Sequence, residues 1–133
     1  MSKEKLDLFK IIQFNQWGLI PVIVQDCEND QILMMAWMNE QSLRLTLKKK
    51  TAHYFSRSRQ KLWRKGEISG QVQKVKELFL DCDGDCLLLK VKQTGVACHT
   101  GRKSCFFYKI DKNGKIKINQ KIIVKSEILY DKD

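Results

Sequence analysis

Val22 and Val24, then Ile32 through Met38, are apolar enough for two strands, and Glu28-Asn29-Asp30-Gln31 between them has the composition of a hairpin turn. Asn39, a good capping residue, follows at once. Leu43 and Leu47 then recur at four-residue spacing before the run Lys48-Lys49-Lys50, which predicts a helix with its basic end where the dipole favours cations. Beyond it the period shortens toward two. Ala52 to Ser56, a segment near Val75 and Leu78 to Asp81 are short and β-compatible, and Leu87, Leu89 and Val91 alternate with Leu88, Lys90 and Lys92 as in a half-buried strand. Phe106 to Ile110 and Ile116 to Ile118 bracket Asp111-Lys112-Asn113-Gly114, where Asn-Gly signals a hairpin. The expected fold is mainly β, with one central helix or two, the second near the N-terminus.

A chain of 133 residues without repeats, low-complexity tracts or a Pro/Gly/Ser linker reads as one domain over residues 1–133. Its apolar runs fall far short of the roughly 20 residues that a bilayer-spanning helix needs. Met1-Ser2-Lys3-Glu4-Lys5 lacks the apolar stretch of a secretory signal, so a reducing cytoplasm is the expected compartment. In that setting the five cysteines (27, 82, 86, 98 and 105) point to metal sites or reactive thiols rather than disulfides.

Charge narrows the partners. Twenty-five basic and 15 acidic residues leave +10, and no acid interrupts the stretch between Glu40 and Glu67, which carries nine Lys and Arg residues. Such a field suits nucleic acid or a phosphorylated metabolite, and a solvated basic face is the plain alternative.

Three clusters can carry chemistry. In Asp81-Cys82-Asp83-Gly84-Asp85 the three carboxylates can converge on a hard cation such as Mg²⁺; an EF-hand fails because its sixth loop position is Cys86 and its twelfth Lys92. An acidic turn between strands accounts for the same residues. If Asp81 to Asp83 are extended, the two carboxylates face one side and Cys82 the other. The second cluster, Cys98-His99-Thr100-Gly101-Arg102-Lys103-Ser104-Cys105, offers soft ligands, a base and an anion-binding turn. Cys82, Cys98 and Cys105 together would make a three-thiolate zinc site with one open position, and adding Cys86 would close it into a structural site. Each cysteine singly also reads as a small buried hydrophobe. The third, Ser56-Arg57-Ser58-Arg59 with Trp63-Arg64-Lys65-Gly66-Glu67-Ile68-Ser69-Gly70, suits a phosphate, or RNA with the ring stacked on bases. A basic hairpin needs neither.

Taken together, Ala36-Trp37-Met38-Asn39, Ser56-Arg57-Ser58-Arg59, Leu62-Trp63 with Lys65-Gly66-Glu67, Ser69-Gly70, Asp81-Cys82-Asp83-Gly84-Asp85, and Cys98-His99-Thr100-Gly101-Arg102 through Ser104-Cys105-Phe106 resemble the phosphoribosyl-AMP cyclohydrolase family of histidine biosynthesis. They run in the family's order from about residue 22 to 107. The resemblance implies that Cys82, Cys98 and Cys105 bind zinc and that Asp81, Asp83 and Asp85 bind Mg²⁺. It also implies a β-rich pseudobarrel of mixed strands in a segment-swapped homodimer, Cys82 coming from one subunit and Cys98 and Cys105 from the other. Ile68 stands where the family more often has a hydroxyl residue, and Cys86 where it has a small apolar one. Some members carry a second, helical domain that removes pyrophosphate; the chain after Ile110 is too short for it, so only the cyclohydrolase step is expected.

The implied reaction opens the N1–C6 bond of an adenine ring bearing a phosphoribosyl group on N1. That substitution makes the ring cationic and C6 electrophilic, so the demand falls on the nucleophile. His99, beside Cys98, suits proton transfer near neutral pH; His53 is the other histidine, with a packed strand residue as its plain reading. The substrate's two phosphates would account for the basic segment, with Arg57, Arg59, Lys65 and Arg102 as contacts. A basic, zinc-stabilised RNA-binding module is the competing class, and nucleic acid is the less favoured partner.

Overall fold

A computed structural model describes residues 6–125. The start of the chain, read above for a secretory signal, and the last residues of the Lys-rich tail lie outside the described residues.

The elements in chain order are α1 (Leu8–Ile11), β1 (Ile20–Asp26), β2 (Ile32–Met38), α2 (Glu40–Lys49), β3 (His53–Ser56), β4 (Lys61–Arg64), β5 (Gln73–Leu80), β6 (Leu87–Gln93), β7 (Tyr108–Ile110) and β8 (Ile116–Ile118). The fold is mainly β. Four strands form one mixed sheet in the order β2-β1-β6-β5, with β1 antiparallel to β2 and parallel to β6, and β5 antiparallel to β6. The other strands form two-stranded ribbons, β3 with β4 and β7 with β8.

Alternation makes the core. Ile20, Val22 and Val24 of β1 and Leu87, Leu89 and Val91 of β6 point to one buried face, where they meet Leu33, Met38, Leu43 and Tyr54. Removing such side chains from water contributes about 1.5–3 kcal/mol apiece, enough to fix the register that puts Val22 opposite Leu87. Helix α2 covers this face with Leu43. Asn39 and Ser42 cap it reciprocally, each side chain accepting from the other's backbone N–H at 2.8 and 2.9 Å. Its buried positions are Ser42, Leu43 and Thr46. Leu47, paired with Leu43 in the sequence pattern, is 42% exposed, because one turn on from Leu43 the stripe has already rotated to the helix edge. Thr46 fills the place by accepting the His53 N–H at 2.9 Å and donating to the Ser42 carbonyl.

The main sheet of mixed strands is open, its edges β2 and β5 not paired with each other among the described residues. One expectation changes. The segment Asp81 to Asp83 is a turn, not extended: Asp81 Oδ1 accepts the Asp85 and Cys86 N–H groups and the Asp81 carbonyl accepts the Gly84 N–H. Gly84 is required there, because its φ is +73° and a Cβ would lie 2.8 Å from the Ile11 carbonyl. No helix among the described residues is long and apolar enough to cross a membrane.

Candidate active site

One end of the sheet and the β3–β4 ribbon line a cavity of about 490 Å³. One wall is the β3–β4 turn with Arg59, then β4 and the turn after it with Lys65 and Ser69; the other is the loop after β6 with Cys98 and His99, joined by Cys105. Gly66 shapes the first wall: at φ +81° a Cβ would sit 2.5 Å from the backbone of Gln71 and Val72.

The cysteine loop is held at several points. Ala97 and Cys98 donate their N–H groups to the carbonyls of Lys103 and Arg102 at 3.0 and 3.2 Å, and Gly101 donates to the Cys98 carbonyl at 3.0 Å. Gly101, at φ +90°, packs flush against the segment after β8; a Cβ would be 1.7 Å from the Val124 carbonyl. Ser104 Oγ donates to the Ile32 carbonyl at 2.7 Å and the Cys105 N–H to the Leu33 carbonyl at 2.7 Å, which fastens the loop to edge strand β2. Lys103 Nζ reaches Asp26 Oδ2 at 3.1 Å, at the buried end of β1. Burial alone would raise the Asp26 pKa, but N–H donation from Glu28 and Asn29 and the Lys103 ammonium carry it below the ordinary value.

Cys98 is buried, with Thr100 Oγ1 3.0 Å from its sulfur and the Thr100 N–H donating to it at 3.5 Å. Cys105 lies beside it: desolvation and the Cys98 sulfur push the Cys105 thiol up to about 12, while the Lys65 ammonium pulls the other way. Two sulfurs this close resist double ionisation, and a soft divalent cation between them would reverse that. Lys65, only 8% exposed, brings its positive charge to the pair. Cys82 sits exposed in the β5–β6 turn and does not line the cavity. Among the described residues, the one trio of potential ligand atoms close enough for a metal is Asp81, Asp83 and Asp85, within 4.8 Å of one another. Their crowding shows in Asp85, whose pKa is raised by desolvation and then by the Asp81 and Asp83 charges, a repulsion a hard cation would relieve. Cys86 is a poor thiolate donor, its pKa raised by burial and by Asp81 and Asp85.

The basic residues separate. Arg59 and Lys65 line the cavity. Arg57 stacks 4.6 Å above the Trp37 ring and faces a second depression of about 400 Å³. Arg102 donates from Nε to the Gln120 carbonyl at 3.1 Å and lies 4.2 Å over Phe107, engaged with the segment after β8. His53 lies in β3, its Nδ1 2.8 Å from the Thr51 carbonyl, and does not line the cavity. Gln71 lines it and drew no notice in the sequence; Gln73 and Gln93 lie beneath, paired in register across β5 and β6. The available signal was two uncharged amides at positions that alternation assigns to the core.

The family model for phosphoribosyl-AMP cyclohydrolase matches residues 34–107, which include both cavity walls and the Asp81–Asp85 turn. Over 131 residues the chain is 51% identical to a phosphoribosyl-AMP cyclohydrolase from Chlorobium chlorochromatii, covering 98% of this chain and 93% of that protein. Over 116 residues it is 56% identical to one from Vesicomyosocius okutanii, covering 86% and 92%. It is also 51% identical over 107 residues to a histidine biosynthesis bifunctional protein from Wolinella succinogenes, covering 80% of this chain and 47% of that longer one. The chain belongs to the phosphoribosyl-AMP cyclohydrolase family of enzymes.

Proposed function

We infer that the chain hydrolyses the N1–C6 bond of the adenine ring in 1-(5-phosphoribosyl)-AMP, opening it to the formimino carboxamide ribotide intermediate of L-histidine biosynthesis. The observation that carries this is the convergence of Cys98, Cys105, His99, Arg59 and Lys65 on one cavity in a chain of this family. A reducing cytoplasm, where its cysteines would stay thiols, is the compartment that suits this chemistry.

The adjacent Cys98 and Cys105 sulfurs fit zinc, and Cys82 of a second copy would complete three thiolates in a homodimer. Zinc, when bound, supplies the Lewis acidity that makes water a usable nucleophile near neutral pH. His99 accepts the proton of the attacking water on an imidazole nitrogen and returns it to the departing N1. Arg59 and Lys65 hold a substrate phosphate, and burial of Lys65 strengthens its hold by lowering the local dielectric. Arg57, stacked on Trp37, and Arg102, held through Nε by the Gln120 carbonyl, do not line the cavity and are the lesser candidates for a phosphate. Asp81, Asp83 and Asp85 fit Mg²⁺, and together they would hold the ion across the β5–β6 turn that carries Cys82.

The test is turnover of 1-(5-phosphoribosyl)-AMP, followed by the ultraviolet change on ring opening, with and without a zinc chelator. Chelation should abolish turnover, and Cys98→Ser should lose zinc and activity together. Full activity in a zinc-free variant would refute the metal's role, and no turnover by the zinc-loaded protein would refute the function.

A further inference from the structure

Beneath the cavity a line of buried side chains runs from the core to the cysteine loop. The Tyr54 hydroxyl donates to Gln73 Oε1, and Gln73 Nε2 donates to Gln93 Oε1 at 2.8 Å. Gln93 Nε2 then meets four carbonyls, those of Gln71, Val72, Thr94 and Val96, at 2.9–3.4 Å. Above it the Gln71 side chain joins the walls: Oε1 accepts the Val96 N–H at 2.8 Å and Nε2 donates to the Ser69 carbonyl at 3.2 Å. Gly95, at φ +66°, leaves room for this, since a Cβ would lie 1.8 Å from Gln71 Oε1.

The direction of the chain is forced. Only an N–H₂ group can face the carbonyls of both walls that surround Gln93 Nε2, so Gln93 Oε1 turns to accept from Gln73 Nε2 and Gln73 Oε1 turns to accept from Tyr54. Tyr54 is fully buried, which keeps its hydroxyl protonated and able to donate at that end of the line. Gln93 is 8% exposed and does not line the cavity, so it reaches substrate only through what it holds. The turn it holds begins two residues before Cys98.

We propose that Gln93, oriented by Tyr54 and Gln73, is a positioning residue that sets the Val96 to His99 turn for the chemical step. A displacement of that turn moves the base and one thiol together, while the phosphate-binding wall, which Gln93 also meets at the Gln71 and Val72 carbonyls, keeps ties of its own: the Lys65 N–H to the Ala52 carbonyl, the Gly70 N–H to the Gly66 carbonyl and the Thr94 N–H to the Val72 carbonyl. Its cost therefore falls on kcat rather than KM. The proposal rests on the hydrolytic function inferred above.

Two variants test it. Gln93→Met keeps length and loses every hydrogen bond; kcat should fall at least tenfold, KM should stay within about twofold, and amide hydrogen exchange should quicken across the peptide containing Val96 to Thr100. Gln93→Glu keeps the acceptor for Gln73 and regains a donor only when protonated. Its burial among carbonyls raises its pKa, so its rate relative to the unaltered protein should recover toward acid pH and fall as pH rises. Unchanged exchange in a folded Gln93→Met protein, or a loss of rate no greater than its unfolded fraction, would overturn the proposal. So would a Gln93→Glu rate ratio that ignores pH. If the unaltered protein fails to open 1-(5-phosphoribosyl)-AMP while exchange responds as expected, the assigned function falls and the anchoring of the turn stands.

Discussion

Asp26→Asn isolates the tie between the core and the cysteine loop. The carboxylate is nearly buried and Lys103 is three-quarters so, which places their 3.1 Å contact among charge-assisted hydrogen bonds rather than surface ion pairs. Asparagine keeps an oxygen for the Glu28 and Asn29 N–H groups but cannot hold the ammonium, so the loss is about 2 kcal/mol. For a domain of this size that is a fall of about 6 to 10 °C in Tm. The pH dependence has a fixed sign. Because folding lowers the Asp26 pKa, its contribution is fully present above the unfolded carboxyl value, about 3.9, and is lost as pH falls through the lower folded value. Thermal melts of both proteins at equal concentration should show the full gap at pH 7 and a shrinking one below about pH 4. Equal Tm values at pH 7, or a gap that widens on acidification, would refute the reasoning.

Two other substitutions probe the walls of the cavity. His99→Ala should lower kcat by about 10² to 10⁴ with the fold intact by circular dichroism; an unaltered rate removes the imidazole from proton transfer. Gly66→Ala forces a Cβ into the Gln71–Val72 backbone at a positive φ, a strain of at least 1–2 kcal/mol from the dihedral alone, so urea unfolding should shift to lower concentration and KM should rise. A midpoint equal to that of the unaltered protein would show that this turn adapts.

Much of the fold was legible because one face of each element is buried. The β1–β2 hairpin, the Asn39-capped helix, the alternation of β6 and the Asn-Gly turn before β8 follow from local pattern alone. Strand β4 was legible only as one arm of a basic hairpin: Lys61-Leu62-Trp63-Arg64 is half charged, and its strand character comes from pairing with β3. Strand β5 read as two pieces because a bulge between Val75 and Glu77 breaks its alternation. At the site, cysteine, histidine and carboxylate spacings identified the groups but not which of them meet. Arg57 and Arg102 look alike in sequence to Arg59, yet ring stacking and a carbonyl at Gln120 direct them elsewhere. The glutamine line was invisible because amides carry no charge and repeat at no period; only the sheet register aligns them.

The parallel pairing of β1 with β6 also governs when the chain can finish folding. Val22 and Leu87 stand side by side although 65 residues separate them (87 − 22), and β2, α2 and the β3–β4 ribbon all lie in the intervening loop. Closing so long a loop is slow, on a scale of milliseconds to seconds for topologies rich in distant contacts. The hairpins and α2 can form early from local signals, whereas the loop that carries Cys98 and Cys105 reaches edge strand β2, where the Cys105 N–H meets the Leu33 carbonyl, only through a distant contact. Cys98 is therefore shielded from oxidants only once the fold is complete.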